Sequence, residues 1–475
     1  MNCVETFSRH SQEAPNRCAL WLPSGHEVSF GELQDRARRI QAELLSLGLK
    51  PGDPAILFLD LGAELYASVI ALLALGCPIL LVEPWLSVDK IESFVQSVHP
   101  RALVTSSLGK LWALRIPALR RIAITFNPTC TLASHSGKCF QLESVEPSHL
   151  GILTFTSGTS GGLPKGVTRT HGYLLEQLQI FSRRLQPSSV DWCIFANFAI
   201  ANLALGITSI ITDRGWSSST LKKIASLPTA LKPRSLTCGP GFLDKILSMG
   251  LDYSSLHSVH VGGALTDCSL FENAFHALPE AEFTHVYGST EAEPVALIDA
   301  REAVRLSRQA GSTQTLVVGK PIPEIRTQAD SSGLWVSGPH VCPRYWGDTP
   351  ENETHKRIDL QGDSWHCMGD RMRTDSDGQL WYRGRAFQSE SDFDAEQKSY
   401  SVFGHSRAFI HRDLQNRAWL LGEGAIGNEN RLRAELPFLY AIEDVKIFRD
   451  ARHRARIDRK KTILKGAPWL NSRAG

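Results

Sequence analysis

The run Thr156-Ser157-Gly158-Thr159-Ser160-Gly161-Gly162-Leu163-Pro164-Lys165-Gly166 follows a short apolar segment, Ile152–Phe155. Backbone N–H groups and hydroxyls of such a Gly/Ser/Thr loop can approach phosphate oxygens closely, and Lys165 adds a positive charge. It is not a Walker A loop, because Lys165 precedes Gly166 rather than Ser or Thr and the glycine spacing differs. Taken alone, the same composition also describes a surface loop. Val286-Tyr287-Gly288-Ser289-Thr290-Glu291 reads as a strand ending in a turn that presents hydroxyls and a carboxylate. Glu291 has the oxygen chemistry that magnesium takes alongside water and phosphate; a solvated glutamate at a strand end would look the same. In Met368-Gly369-Asp370, followed by Gly384-Arg385, an Asp on a turn suits two vicinal ribose hydroxyls, although Gly-Asp alone is only a turn.

These residues need a scaffold, and the chain alternates helix and strand patterns. Ser29 and Glu32 have capping-box spacing. Leu33, Ala37, Ile40, Leu44 and Leu47 follow on one helical face, and Gly48 suits the C-cap. Pro51-Gly52-Asp53 makes a turn before a buried strand, Ala55–Leu59. Leu65 to Val82 is eighteen residues without a charge, near the lower limit for a membrane span. Gly76 and Pro78 break it, which predicts a buried helix over Tyr66–Leu75 and a buried strand over Ile79–Val82. Further strands are expected at Ala102–Thr105 and Arg121–Thr125, the pattern of a parallel α/β sheet covered on both faces. After about Gly311, short strands (Leu316–Val318, Leu334–Val336, Leu380–Tyr382) between turns predict a smaller antiparallel subdomain. Gln388 to Tyr400 is polar and reads as a linker; strands at Arg407–His411 and Ala418–Leu421 are expected beyond it. No internal repeat is visible.

The 475 residues are 42% hydrophobic, ample for a packed core, and 51 Lys and Arg against 49 Asp and Glu leave a net charge of +2. That balance provides no general field for nucleic acid or anionic lipid. The basic run Arg449–Lys461 is interrupted by Asp450 and Asp458 and has no aromatic platforms, so nucleic acid is not an expected partner. Ten cysteines, Cys3 to Cys367, form no CxxC pair, and the first twenty residues lack an apolar signal core. Reduced thiols and a cytoplasmic location are expected, with no transmembrane segment.

In this order, the three chemical segments resemble the acyl-adenylate-forming superfamily: acyl-CoA synthetases, firefly luciferase and peptide-synthetase adenylation domains. The resemblance runs from about Phe30 to Arg385. It implies an α/β fold with a large N-terminal domain of stacked, mostly parallel sheets plus a β subdomain, and a small, mobile, divergent α+β C-terminal domain, divided as 1–385 and 386–475. Thr156, Ser157, Gly158, Thr159, Ser160, Gly161 and Lys165 look like its phosphate loop. Val261-Gly262-Gly263-Ala264 looks like its adenine-pocket strand and turn. Tyr287, Gly288, Ser289, Thr290 and Glu291 look like the segment in which Tyr stacks on adenine, Thr meets the α-phosphate and Glu holds magnesium; Thr159 is a second expected metal contact. Asp370 and Arg385 look like its ribose-binding pair. Phe195–Gly206, Tyr287–Ala296, Trp365–Asp370 and Arg452–Ile457 are similar to runs in the β-lactone synthetases of bacterial olefin biosynthesis and their fatty-acid ligase relatives.

The implied activity is ATP- and magnesium-dependent conversion of a carboxylic acid to an acyl adenylate with release of pyrophosphate. The adenylate then passes to CoA, to the phosphopantetheine of an acyl-carrier protein, or to the substrate's own β-hydroxyl, giving a β-lactone. The implied catalytic set is Lys165, Thr290, Glu291 and Arg456. Phe195, Phe198, Ile200, Leu203 and Leu205 are candidates for an apolar acyl wall, and as plain core residues they would look no different. The chain departs from the family in an extra residue around Gly162-Leu163, in the absence of the usual hinge after Arg385, and in Arg456 where the family has lysine. Those departures keep a catalytically degenerate nucleotide-binding protein as a rival reading.

Overall fold

The computed structural model describes the chain except residues 83–85, 130–138, 157–164, 311–315, 404–407, 414, 424–429, 431, 434–435, 437, 448–456, 458 and 468–475, and except the side chains at 156, 400–403 and 460. The Ser29 hydroxyl accepts from the Glu32 N–H and starts the helix Phe30–Ser46, as the capping-box spacing predicts. Leu33, Ala37, Ile40 and Leu44 are buried, whereas Leu47 is the C-cap and 46% exposed, because the face has turned away by the helix end. The uncharged run forms the helix Ala63–Ala74, in which every residue but Glu64 is buried. Gly76 at φ +65° and Pro78 end it ahead of the strand Ile79–Leu81.

That helix lies between two sheets and packs against residues of both. One sheet has six strands in the order Ile124–Phe126, Ala102–Thr105, Ala55–Phe58, Ile79–Leu81, Leu150–Thr156 and Lys165–Thr170, parallel except for the last pair. The edge strand begins at Ile124 rather than Arg121. The other sheet has eleven strands: Glu27–Ser29, Cys18–Trp21, Thr208–Ile211, Val190–Cys193, Ser235–Cys238, Ser258–Gly262, Glu282–Ser289, Ala292–Asp299, Val317–Pro321, Leu380–Arg385 and Asp370–Thr374. It is parallel from Cys18–Trp21 to Glu282–Ser289 and antiparallel beyond. The helices Phe30–Ser46 and Ala196–Leu205 contribute to the same interior, which joins Leu20, Leu57, Ile152 and Ile211 in one apolar cluster.

Two expectations are corrected here. The strands after Gly311 do not share one subdomain. Val317–Pro321 and Leu380–Arg385 extend the large sheet, while Gly333–Ser337 joins Arg326–Asp330, Ser364–Cys367 and Lys356–Ile358 in an antiparallel sheet of four. The polar stretch Gln388 to Tyr400 is not a linker but most of the helix Glu390–Phe403. Its buried acids are paired: Asp392 with Arg412 at 2.7 Å and Glu396 with Arg459 at 2.7 Å. Arg412 belongs to a three-stranded sheet of Ala408–Arg412, Ala418–Gly422 and Ala441–Asp444, whose Ile410 N–H also donates to Glu396 at 2.8 Å, while Arg459 opens the helix Arg459–Gly466.

A local motif also recurs. Asp359, Asp375 and Asp413 each accept backbone N–H bonds across a turn and an indole N–H from the tryptophan six residues on, namely Trp365, Trp381 and Trp419. No helix among the described residues is long and apolar enough to cross a membrane.

Candidate active site

The parallel strands of the large sheet end on one side, where α/β folds bind ligands. Glu282–Ser289 and Ala292–Asp299 form a hairpin with Thr290 and Glu291 at its tip. Gly288 is required there, since a Cβ would lie 2.8 Å from the Ala292 carbonyl oxygen. Beside it, Ser258–Gly262 ends at Gly263, whose φ of +80° favours glycine. Gly263 and Ala264 are half-buried at this edge.

Asp370 and Arg385 face each other across paired strands. The Tyr287 hydroxyl donates to Asp370 Oδ2 at 2.6 Å. Arg385 Nη1 lies 2.9 Å from Asp370 Oδ1 and directs its N–H to the Met368 carbonyl at 3.1 Å. Ser289 Oγ reaches Met368 Sδ at 3.5 Å. Two separately read segments, the second in two stretches, therefore meet at one place. Burial and the Asp370 carboxylate raise the Tyr287 pKa, and the same carboxylate holds Arg385 charged.

Lys165 opens the strand Lys165–Thr170, paired in register with Thr156. The loop residues Ser157, Gly158, Thr159, Ser160 and Gly161 lie outside the described residues, as does Arg456. Lys165 Nζ sits 3.4 Å from His355 Nε2 and over the Tyr345 ring at 5.4 Å; burial lowers its pKa. Glu291, 9% exposed, accepts the Tyr345 hydroxyl on Oε1 at 2.9 Å. No hydrogen bond to Oε2 occurs among the described residues. Burial alone would raise the Glu291 pKa, but His366, Lys356 and the Tyr345 hydroxyl outweigh it and hold it at about 2. His366 is itself lowered to about 3 by burial and by Lys356, so at neutral pH the lysines acting on Glu291 are Lys356 and Lys165. Lys356 Nζ donates to the Cys342 carbonyl at 2.5 Å and lies 4.6 Å from the Tyr345 ring centroid.

Among the described residues no group of three or more His, Cys, Asp or Glu could hold a metal by itself. An ionised Glu291 with one free oxygen fits a magnesium ion that arrives with phosphates and water. Lys356, Tyr345 and His366 are part of this cluster. His366 lies inside the quoted run Trp365–Asp370 without an assigned role; Lys356 and Tyr345 have no motif to mark them.

Next to the hairpin is a cavity of about 550 Å³, walled by Phe7, Tyr66, Val69, Ile70, Phe195 and Trp216 among others. Of the five candidate wall residues, Phe195, Ile200 and Leu203 line it. Phe198 instead stacks on Phe181 at 4.6 Å, and Leu205 faces a separate surface pocket. Gly239 lines the cavity, and a Cβ there would lie 3.6 Å from the Gly262 carbonyl oxygen and 3.7 Å from the Phe195 ring. Arg169, also in the wall, donates to the Thr290 carbonyl at 2.9 Å and to Thr154 Oγ1 at 2.8 Å. The cavity thus adjoins both the Gly262-Gly263 turn and the Thr290-Glu291 tip. Arg169 stands four residues after Lys165, where the sequence reading assigned nothing.

The family model described as AMP-binding enzyme matches residues 7–346. The chain belongs to the AMP-binding enzyme family. It is an adenylate-forming, AMP-forming ligase that uses ATP. This AMP-binding enzyme is 24% identical over 438 residues to an olefin beta-lactone synthetase of Xanthomonas campestris, covering 81% of this chain and 78% of the relative. It is 26% identical over 392 residues to a p-hydroxybenzoic acid–AMP ligase of Mycobacterium tuberculosis, covering 76% of this chain and 51% of that one. The fold matches the O-succinylbenzoate coenzyme A synthetase of Bacillus subtilis, solved with AMP, at a TM-score of 0.79 and 18% identity over 97% of this chain and 98% of that one.

Acid will destabilise this AMP-binding enzyme well above the carboxylate range. His171 and His285 are lowered to about 4 and His366 to about 3, in each case chiefly by burial. The unfolded chain binds these protons near pH 6.5, so stability is full above 6.5 and falls as pH drops toward the folded values. Each histidine should cost about 1.4 kcal/mol per pH unit below 6.5. Urea unfolding midpoints should fall sharply between pH 7.5 and 5.0; equal midpoints would contradict the buried neutral histidines.

Proposed function

We propose that the enzyme activates an apolar, fatty-type carboxylic acid as its acyl adenylate and passes the acyl group to a thiol, of CoA or of a carrier-protein phosphopantetheine. The observation that carries this reading is the apolar cavity of about 550 Å³ adjoining the Thr290-Glu291 tip. The acid's carboxylate oxygen attacks the α-phosphorus of ATP, and pyrophosphate leaves. Lys165 and residues 156–161 steady the phosphates, and Thr290 and Arg456 face the reacting centre. Tyr287, Gly263 and Ala264 border the adenine, and Asp370 with Arg385 holds the ribose. Glu291, with Thr159, would hold a magnesium ion, which would supply charge neutralisation at the phosphates. Residues 1–385 form the adenylating portion in this reading, and 386–475 the portion that moves between half-reactions. Nine cysteines among the described residues are free thiols, which suits a reducing cytoplasm.

A second reading has the substrate's own β-hydroxyl attack the acyl carbon, releasing AMP and a β-lactone. Similarity to olefin beta-lactone synthetases over about four-fifths of both chains favours it. The two are separated by incubation with ATP and a long-chain β-hydroxy acid: AMP released without CoA, together with a lactone, selects the second, and CoA-dependent thioester formation selects the first. Within either reading, Ala201→Trp should fill the cavity and depress activity on long-chain acids at least tenfold more than on short ones, an overpacking effect. An unchanged chain-length profile would place the acyl group elsewhere.

A further inference from the structure

Among the described residues, two Arg or Lys side chains are more than nine-tenths buried, Arg169 at 7% exposure and Lys356 at 8%. Lys356 faces the carboxylate of Glu291. Arg169 has no carboxylate within ion-pair distance among the described residues; its guanidinium is held by neutral groups, Thr154 Oγ1 at 2.8 Å, the Thr290 carbonyl at 2.9 Å and the Tyr173 ring, 5.9 Å away. A buried charge without a counter-charge is costly, and chains usually pair it. The other charged groups in the cavity wall are already satisfied. Arg214 lies 3.5 Å from Asp60. Asp213 accepts from the Ser217 N–H and hydroxyl and from the Gly215 N–H.

The two anchoring bonds use two of the five guanidinium N–H groups and fix the plane of the head against the hairpin tip. The remaining donors belong to a side chain that lines the apolar cavity. Gln177, also in the wall, is pinned to the same hairpin through the Glu293 carbonyl at 3.0 Å, so this side of the cavity is set rigidly.

We propose that Arg169 is the binding site for the carboxylate of the acid before adenylation, the missing anion being the substrate itself. The inference rests on the reading of the cavity as the acyl site, and it narrows the substrate class. A cation at the head position disfavours an acid with its own ammonium group beside the carboxylate, because Asp213 is occupied and no other free carboxylate lines the cavity among the described residues. The expected substrates are therefore acids without an α-amino group.

Binding to the full-length chain without ATP tests this, with laurate, dodecanol and 2-aminododecanoate as probes and the fluorescence of Trp216 in the cavity wall as the signal. The wild type should bind laurate about tenfold or more tighter than either other probe, the scale of a charge-assisted contact. Arg169→Gln should bind laurate and dodecanol equally, and Arg169→Lys should keep part of the preference. Laurate and dodecanol binding the wild type equally, or laurate not binding, would overturn the proposal. So would an equal loss of both ligands in Arg169→Gln, which marks a purely structural latch. A laurate preference in a chain that proves unable to exchange pyrophosphate would uphold this site while the adenylation reading fell.

Discussion

Glu291→Ala will abolish acid-dependent pyrophosphate exchange and will also lower stability, by about 3 kcal/mol, the low end for leaving a buried charge uncompensated. In the proposed function, activity is lost because the variant lacks the carboxylate that would hold magnesium at the phosphates. Stability is lost because Lys356 is 8% exposed and Glu291 is the carboxylate it faces, while the Tyr345 hydroxyl loses its acceptor. The motif alone suggests a substitution that spares the fold; the surroundings of Glu291 say otherwise. Glu291→Gln with Lys356→Met should recover much of the stability and none of the activity. Chemical unfolding and exchange assays on the three proteins check this. A fully stable Glu291→Ala, or an active double variant, would separate Glu291 from the role given to it.

Arg456→Ala is expected to cut adenylation by roughly 10²–10³, the usual loss for one transition-state donor. Lysine at this position would place a compact charge between the carboxylate and the α-phosphate. Arginine keeps the charge on a wider, planar head suited to bidentate contacts. The second half-reaction, started from a preformed acyl adenylate, should suffer less, and single-turnover kinetics of the two steps give the comparison. A larger loss in the second step would overturn the assignment. If Arg456→Lys strongly raises adenylation, the natural arginine marks decay toward a nucleotide-binding protein. If Lys460→Ala or Lys461→Ala does the damage, the register of the C-terminal motif is wrong.

Tyr287, Asp370 and Arg385 were legible in the sequence because each stands in a short run of recognisable order. Their mutual contact was not, because it depends on the pairing of Asp370–Thr374 with Leu380–Arg385 and on the Tyr287 hydroxyl reaching across. The helix Ala63–Ala74 was legible from the absence of charge and the break at Gly76 and Pro78. The helix Glu390–Phe403 was missed because its polarity is real: Asp392 and Glu396 are buried only because Arg412 and Arg459, far along the chain, arrive to pair them. Lys356 and Tyr345 carry no spacing signal, and their place beside Glu291 follows from the four-stranded sheet and the loop before it. Arg169 follows the phosphate loop closely but acquires meaning only from what it lacks, a carboxylate partner inside an apolar wall. The phosphate loop at 157–164 and Arg456 rest on the sequence resemblance.

The central claim is that one ATP site and one apolar acid site adjoin at the Thr290-Glu291 tip. ATP–pyrophosphate exchange with magnesium, run against a panel of fatty, β-hydroxy and aromatic acids, tests it most directly. The account predicts exchange that requires both magnesium and an acid, strongest for long-chain acids without an α-amino group. Tight ATP binding with no exchange for any acid on that panel would contradict it.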